Sequence, residues 1–296
     1  MPNIGFFPPR LDPANANLAN LISNPTRLER RLEAINQDRY IVEYLFNQSP
    51  ANGGGVIFDR VKQDLYLDRD AQAIDDGAEF PKLTGEDVES EIAMVKRYGG
   101  EVDLSFASVR RNDTSAYRRK VQQLANTVLR KANRVAVAAL DRDTDIPTLA
   151  IGTDWNQASA DPLGDLATAQ SMIDDSDMGY LSNTVLINPQ DALTLRKRKD
   201  IRDALPRENA DLNPVLSRDL AGLLDLQFIK SSFVTKGTGW LVSRENLGTY
   251  ADEEGGLKAD TYDEKHRHVH VLQAWRTFVP VVTDPFAAVK LTGLSV

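Results

Sequence analysis

The sequence contains no cysteine. That excludes disulfides, thiolate zinc sites and cysteine nucleophiles, and it fits assembly in a reducing cytoplasm. Histidine is nearly as scarce: three residues, all within His266 to His270, so any imidazole chemistry falls to one short segment. No apolar run is long enough to span a membrane, and Met1 to Arg10 lacks the basic start and apolar stretch of a secretory signal. An excess of positive charge is missing too. At a net charge of −8 general binding of nucleic acid is disfavoured, because affinity for phosphate comes mainly from Lys and Arg releasing counterions. Such a protein encloses DNA, if it meets it, without gripping it.

What is present is length, an ordinary core-forming composition and an unusual pair of charged segments. At 296 residues the chain has room for two compact bodies, or for one body with projecting arms. From Asp68 to Glu91 nine acids face only Arg69 and Lys82, a net of −7. From Arg111 to Arg134 seven bases face Asp113 alone, a net of +6. Two opposed surfaces on one chain imply a protein that binds copies of itself.

Residues 1 to 24, rich in Pro and Asn, predict an extended arm. A short amphipathic helix follows, with Asn24 as cap, Pro25 in the first turn and Leu28, Leu32 and Ile35 on one face. Ser49 to Gly55, with three consecutive glycines, predicts a break in all regular structure. Residues 56–61 and 64–68 are candidate strands, with turn points at Asp76-Gly77 and Thr84-Gly85, and the alternation Val102, Leu104, Phe106 predicts a half-buried strand. So little apolar content in this stretch cannot form a core alone; it must lie against something, such as a neighbouring subunit.

A long helix is predicted from Asp113 to Leu140, capped at Asn112 or Asp113, with Tyr117, Val121, Leu124, Val128, Ala132, Val135 and Ala139 stepping by three and four. It spans about 40 Å. Its charges run against the dipole: Arg118, Arg119 and Lys120 near the positive end, Asp141, Asp143 and Asp145 beyond the negative end. An acidic partner near the first turns would offset the former. After Ile146-Pro147 the pattern alternates: a helix from Asp161-Pro162 through Leu166, Ala169, Met172 and Ile173, a strand over 184–187, a helix over 189–203, strands over 226–229 and 239–242, and strand-rich sequence from Leu257 to the end.

One constellation has metal-ligand character. His266, His268 and His270, if on a strand, share one face through its period of two and could bind zinc, copper or nickel. No carboxylate follows through Trp275, however, and a solvated strand face at a subunit boundary is the simpler reading. Gly53-Gly54-Gly55 and Gly237-Thr238-Gly239 lack the spacing and the Lys-Ser/Thr of phosphate loops. Arg196 to Lys199 is a basic run flanked by Asp191, Asp200 and Asp203, read as a solvated helix face or an inter-subunit contact. The pairs Asp174-Asp175 and Asp252-Glu253-Glu254 have no base, nucleophile or phosphate cradle beside them. No catalytic, cofactor-binding or metal-binding residue is expected, and no cofactor.

The order of segments resembles the major capsid protein of tailed bacteriophages, whose fold is shared with encapsulins and the herpesvirus shell floor. The resemblance rests on Gly77-Ala78-Glu79-Phe80-Pro81 in an extended loop, the strand from Val102 to Ser105 leading into the long helix, and Val185 to Gln190 with its Asn188-Pro189 turn. Leu220 to Leu223 and the closing run Val281 to Leu291 complete it, so that it covers nearly the whole chain.

It implies an α+β fold with an N-terminal arm (1–48), an extended E-loop hairpin (49–96), a peripheral domain with a spine helix (97–146, with return strands 245–282) and an axial domain (147–244, with a C-terminal segment 283–296). It further implies pentamers and hexamers of an icosahedral shell around double-stranded DNA, in a virion assembled in the host cytoplasm. The E-loop would lie over an adjacent subunit, bringing the −7 segment near the +6 segment. Some members weld neighbours through a Lys on the E-loop and a peripheral-domain Asn; Lys62 and Lys82 are possible donors, but no Asn follows Asn246, so a shell without crosslinks is expected. Scaffolding protein and portal are expected partners, the scaffold as a separate chain. Two other functions remain open: an encapsulin-like nanocompartment shell, and a metal-dependent enzyme using His266, His268 and His270.

Overall fold

A computed structural model describes residues 18–22, 24–36, 39–51, 53–61, 71–76, 79–84, 89–176, 178–204 and 224–295. The N-terminal helices are α1 (Leu18–Ile22), α2 (Pro25–Asn36) and α3 (Ile41–Leu45). A short strand β1 (Asn47–Pro50) precedes an antiparallel ribbon of β2 (Gly55–Arg60) and β3 (Glu89–Met94), then β4 (Lys96–Ser105), α4 (Phe106–Arg110) and α5 (Thr114–Arg142). There follow β5 (Thr148–Ala150), α6 (Pro162–Asp174), β6 (Thr184–Ile187), α7 (Pro189–Lys197) and α8 (Lys199–Ala204). The chain continues through β7 (Gln227–Lys230), β8 (Thr238–Val242), the long hairpin β9 (Gly248–Glu264) and β10 (Val269–Val282), and β11 (Ala288–Thr292).

Two larger sheets organise these elements. The first has the order β1-β9-β10-β4 and the second β5-β11-β8-β6-β7. α5 packs across β4 and β10 of the first sheet through Tyr117, Val121, Leu124, Val128 and Ala132, all buried. Each buried Val or Leu among these contributes about 1.5–3 kcal/mol of apolar transfer free energy. α2 packs against β9, with Leu28 and Leu32 in one core with Leu257 and Ala259; Lys258 Nζ donates to Glu29 Oε1 at 3.0 Å, and the Thr261 hydroxyl donates to the carbonyl of Ile22 in α1 at 2.8 Å. In the second sheet β6 is buried at all four positions, as a central strand with both faces covered must be. A third group of apolar residues, including Leu45, Leu140, Leu186, Trp240 and Phe278, joins the two sheets into one core.

The helix boundaries follow from side-chain caps. Asp113 Oδ1 accepts from the Ala116 amide at 3.0 Å, Asp161 Oδ1 from Gly164 at 3.1 Å and Asn188 Oδ1 from Gln190 at 2.9 Å. Pro162 and Pro189 occupy first-turn positions whose amides need no partner. The acids at and just past the C-terminal end of α5 are neutralised within the chain: Asp141, in its last turn, by Lys290 at 3.2 Å, and Asp143 and Asp145 by Arg60 at 2.6 and 2.7 Å.

Several expectations are corrected. Residues 18–22 are helical, not extended. Regular structure continues to Pro50, because Asn47 to Pro50 pair in parallel with Thr249 to Asp252; only the glycines beyond form a turn. Phe106 opens α4 and does not end the strand. The helix predicted over 189–203 breaks at Arg198, whose guanidinium is drawn to the carbonyls of Gln157 at 2.7 Å and Ala160 at 2.6 Å. The candidate strand 64–68, Lys62, Gly77-Ala78, Gly85, Leu220 to Leu223 and the arm before Leu18 lie outside the described residues.

The first sheet turns on one charged group. Arg276 on β10 is 2% exposed. Its Nε donates to Asp252 Oδ2 at 2.9 Å and its Nη1 to Glu43 Oε1 at 2.7 Å, and it lies over the rings of Tyr40, Tyr250 and Phe278 at 4.7, 5.5 and 5.4 Å. Burial alone would lower the pKa of Arg276, but Glu43 and Asp252 outweigh it and raise it above its ordinary value. The other oxygen of Asp252 accepts from the amides of Glu254 and Gly256 at 3.2 and 3.1 Å. Those bonds shape a bulge in which the β9 register skips from Asp252 to Leu257 while β10 advances only from Phe278 to Arg276. Gly255 and Gly256, with φ of +69° and +126°, supply the left-handed backbone this needs.

Removing the cation leaves the buried Asp252 carboxylate without its counterion, whereas Glu43, 40% exposed, is solvated; breaking the buried pair costs about 3–5 kcal/mol. Arg276→Met is therefore expected to lower the free energy of unfolding of the unassembled subunit, read from urea titration, by that amount, and Arg276→Met combined with Asp252→Asn to lose less than the sum of the single changes. Additive losses in the double-mutant cycle would show that the two groups are not coupled.

Candidate functional site

The described residues contain two surfaces whose chemistry is not satisfied within the chain. The first is the β2–β3 ribbon. Its register sets Ile57 opposite Ile92 and Gly55 opposite Met94, and the period of two puts these side chains on one face. Ile57, Ile92 and Met94 are 70%, 69% and 62% exposed. Beyond the ribbon, Asp75, Asp76 and Glu79 are exposed, and Phe80 is 79% exposed. The root of the ribbon is fixed: the Val61 amide donates to the Thr283 carbonyl at 3.0 Å, and Arg60 holds Asp143 and Asp145 beside the end of α5.

The second surface is the outward side of α5. Burying Tyr117, Val121, Leu124 and Val128 turns Arg118, Arg119, Arg130, Lys131 and Arg134 outward. The basic segment, read in sequence as one surface, divides into two, because residues 121 to 129 carry no charge and occupy two and a half turns of helix. Arg118 and Arg119 lie near the cap Asp113, whose carboxyl is held below its usual range by hydrogen bonds from Ser115 and the Ala116 amide and by the charge of Arg119. The dipole conflict at that end is thus eased inside the chain.

Arg130, Lys131 and Arg134 border a trough of about 360 Å³ between α5 and β4, with Tyr98, Gly99 and Val128 in its lining and Arg97 at its rim. Lys131 Nζ sits 5.1 Å from the Tyr98 ring centroid and Arg134 5.5 Å from that of Phe233. Arg97 pairs with Glu254 at 2.8 Å. Burial raises the pKa of the Tyr98 hydroxyl, keeping it a neutral donor. Gly99 is required by the close approach of β10: a Cβ there would fall 2.6 Å from the Ala274 carbonyl oxygen. Reading the helix alone missed Arg97 and Tyr98, which reach the trough from a neighbouring strand; the Lys96-Arg97-Tyr98 sequence was their one local signal.

The three histidines do not share a strand face. Residues 265–268 form the turn between β9 and β10, with His268 at φ +55°, so only His270 lies on a strand. It pairs with Asp263 and packs 4.5 Å from the Phe106 ring, while His266 lies 3.8 Å from Glu264. A four-residue turn consumes the alternation that would have aligned them. The basic run of 196–199 also resolves inward in part: Arg198 is committed to backbone carbonyls and to Asp200 at 2.8 Å, and Asp191, expected at its flank, is buried, accepting from the Gly237 amide at 2.9 Å.

Comparison with known proteins fits this arrangement. Residues 88–291 match the family of phage capsid proteins. No curated protein matches the sequence. Among solved structures, the chain is similar to a phage-related protein from Bordetella bronchiseptica, at 13% identity and a TM-score of 0.65 over 91% of this chain and 97% of that one. It is similar to the virus-like particle from Pyrococcus furiosus, at 12% identity and a TM-score of 0.60 over 89% and 97%. It is also similar to the SrpI encapsulin from Synechococcus elongatus, at 12% identity and a TM-score of 0.59 over 87% and 88%. At these identities the structural likeness shows the fold, the α+β capsid fold. The family match spans more than half of the sequence, and the chain belongs to the phage capsid proteins, structural components of a capsid shell.

Proposed function

We propose that this chain is the major capsid protein of a tailed bacteriophage, assembling as pentamers and hexamers into an icosahedral shell that encloses double-stranded DNA. The observation that carries this reading is the ribbon. A two-stranded hairpin is marginally stable alone, and its face of Ile57, Ile92 and Met94 is an apolar patch of the kind that marks an interaction surface. A neighbouring copy supplies the cover.

In this reading residues 1–48 are the N-terminal arm and 49–96 the E-loop, with the β2–β3 ribbon as its base. Residues 97–146 and 245–282 form the peripheral domain, to which α5 and most of the first sheet belong. Residues 147–244 and 283–296 form the axial domain around the second sheet. A net charge of −8 suits a container whose DNA is held by packaging more than by affinity. Scaffolding and portal proteins are the partners of this reading, and assembly takes place in the host cytoplasm. The copies are joined without covalent crosslinks, since no Asn follows Asn246 to accept Lys62 or Lys82. An encapsulin-like compartment is the second reading, favoured by the similarity to the SrpI encapsulin and separable by contents.

Electron microscopy of the expressed protein is expected to show closed shells with five- and six-fold clusters, and particles from the native source to hold nuclease-protected DNA. Dispersed subunits alone would refute the shell, and protein cargo in place of DNA would move the assignment to a nanocompartment. On a denaturing gel of mature particles the chain is expected to run as a single band of about its own 32.8 kDa; a covalent ladder would overturn the absence of crosslinks.

A further inference from the structure

We infer that the exposed face of α5, from Arg118 to Arg134, is the surface this chain turns toward enclosed DNA, meeting the phosphate backbone without reading its sequence. The inference rests on the shell reading and gives the shell wall an inside.

Charge is segregated along the chain. From Thr114 to Leu140 there is no Asp or Glu, although acids make up 43 of the 296 residues and a stretch of that length would hold about four. Every exposed position of α5 from Arg118 to Arg134 is a cation or a neutral hydrogen-bonding side chain. Arg118 and Arg119 stand at one end, and Arg130, Lys131 and Arg134 at the other, about 18 Å along the axis. Gln122, Gln123, Asn126 and Thr127 fill the interval, and Arg39 reaches Asn126 Oδ1 from the flank at 3.4 Å.

The other side of the same layer has the opposite sign. On β4, Tyr98 lies under Lys131 and Leu104 shares a core with Leu124, so the odd-numbered positions between them point away from α5. They include Glu101 and Asp103. Glu101 accepts from Tyr262 at 3.2 Å and from Gln273 at 3.1 Å, and Asp103 pairs with Arg267. Asp260, in register with Gln273, adds a third acid to that face. One wall thus has a basic helical side and an acidic sheet side.

The chemistry of the α5 face selects its partner. A protein interface needs a buried apolar core, and no exposed position of α5 from Arg118 to Arg134 is apolar. Protein–DNA interfaces are more polar and more positive, and phosphate and sugar oxygens accept from Gln, Asn and Thr as well as from Arg and Lys. A nucleic-acid backbone can therefore use the neutral interval as well as both charged ends. Five cations on a chain of net −8 make a weak contact, which repetition around a shell accumulates.

The test measures binding of dispersed full-length subunits, below the concentration at which shells form, to a short DNA duplex by fluorescence anisotropy as salt is raised. Five phosphate contacts predict that affinity falls about five-hundredfold between 50 and 200 mM salt. Arg130→Gln/Lys131→Gln/Arg134→Gln is expected to reduce that fall to about tenfold, and Arg118→Gln/Arg119→Gln to about fortyfold. Both are checked for folding by circular dichroism; they lie at opposite ends of α5, so misfolding of one leaves the other to decide. Lys265→Gln/Arg267→Gln, in the β9–β10 turn, is expected to leave the fall unchanged, and ultraviolet crosslinking of DNA-filled particles to attach DNA to peptides of α5. A salt dependence unchanged in both α5 variants, an equal change in the turn variant, or crosslinks confined to the sheet side each overturn the assignment. α5 variants that bind the duplex normally and fail to form shells overturn it in favour of a contact between copies. Absence of shells from the unmodified chain is a different result: it removes the shell reading, while the duplex measurement still decides whether α5 binds DNA.

Discussion

The buried guanidinium of Arg276 is the constraint on which the first sheet depends. Moving a charge out of water carries a penalty of several kcal/mol, repaid only when geometry and hydrogen bonding are complete. Here completion requires three separate segments: Glu43 from α3, Asp252 from β9 and the cation from β10. β9 and β10 cannot shift apart here without stranding a buried charge. The same Asp252 holds the amides of Glu254 and Gly256, so the clasp that neutralises Arg276 also creates the bulge in β9. Placement of α3, through Glu43, and the bulge of the long hairpin, through Asp252, are therefore coupled by one guanidinium.

The second sheet is held differently, by apolar continuity. β11 lies between β5 and β8, and Val289 and Leu291 on it meet Leu166, Ala169 and Ile173 of α6 in one core. Leu140 at the end of α5 and Phe278 on β10 share their core with Leu186 and Trp240 of this sheet. A helix of about 44 Å thus has one end in each core and acts as a strut. Such a body has little freedom to repack on contact, which suits a building unit whose neighbours must repeat one geometry. The ribbon is the contrast. It is tied at its root by Arg60 and Thr283 and left bare along its face.

What the sequence disclosed depended on whether the cause was local. α5, α6 and α7 were legible because Asp113, Asp161 and Asn188 cap within three residues and the apolar steps repeat every turn. The failures had distant causes. β1 exists because β9 offers an edge 202 residues away at Asn47 and Thr249. The helix after Pro189 stops because carbonyls near Trp155 capture Arg198. The histidine alternation misled because a turn and a strand look alike over five residues when their partner strand is out of view. Charge was half legible: the two signs were plain, but only the helical surface divided the positive segment, and only the neighbouring strand supplied Tyr98 to the trough.

That division alters how the charges act. A diffuse surface of +6 attracts any anion and is screened within about 8–10 Å at physiological salt. It sets encounter rate and discourages wrong approaches more than it holds a complex together. The ribbon adds apolar surface to charge, with Ile57, Ile92 and Met94 on one face and carboxylates beyond, and burial of that face supplies affinity that salt does not remove. A shell built from such contacts needs no strong single bond. Where each copy of a shell both gives and receives such a contact, modest apolar contacts repeated around a closed surface accumulate, while the charges fix which registration is reached first.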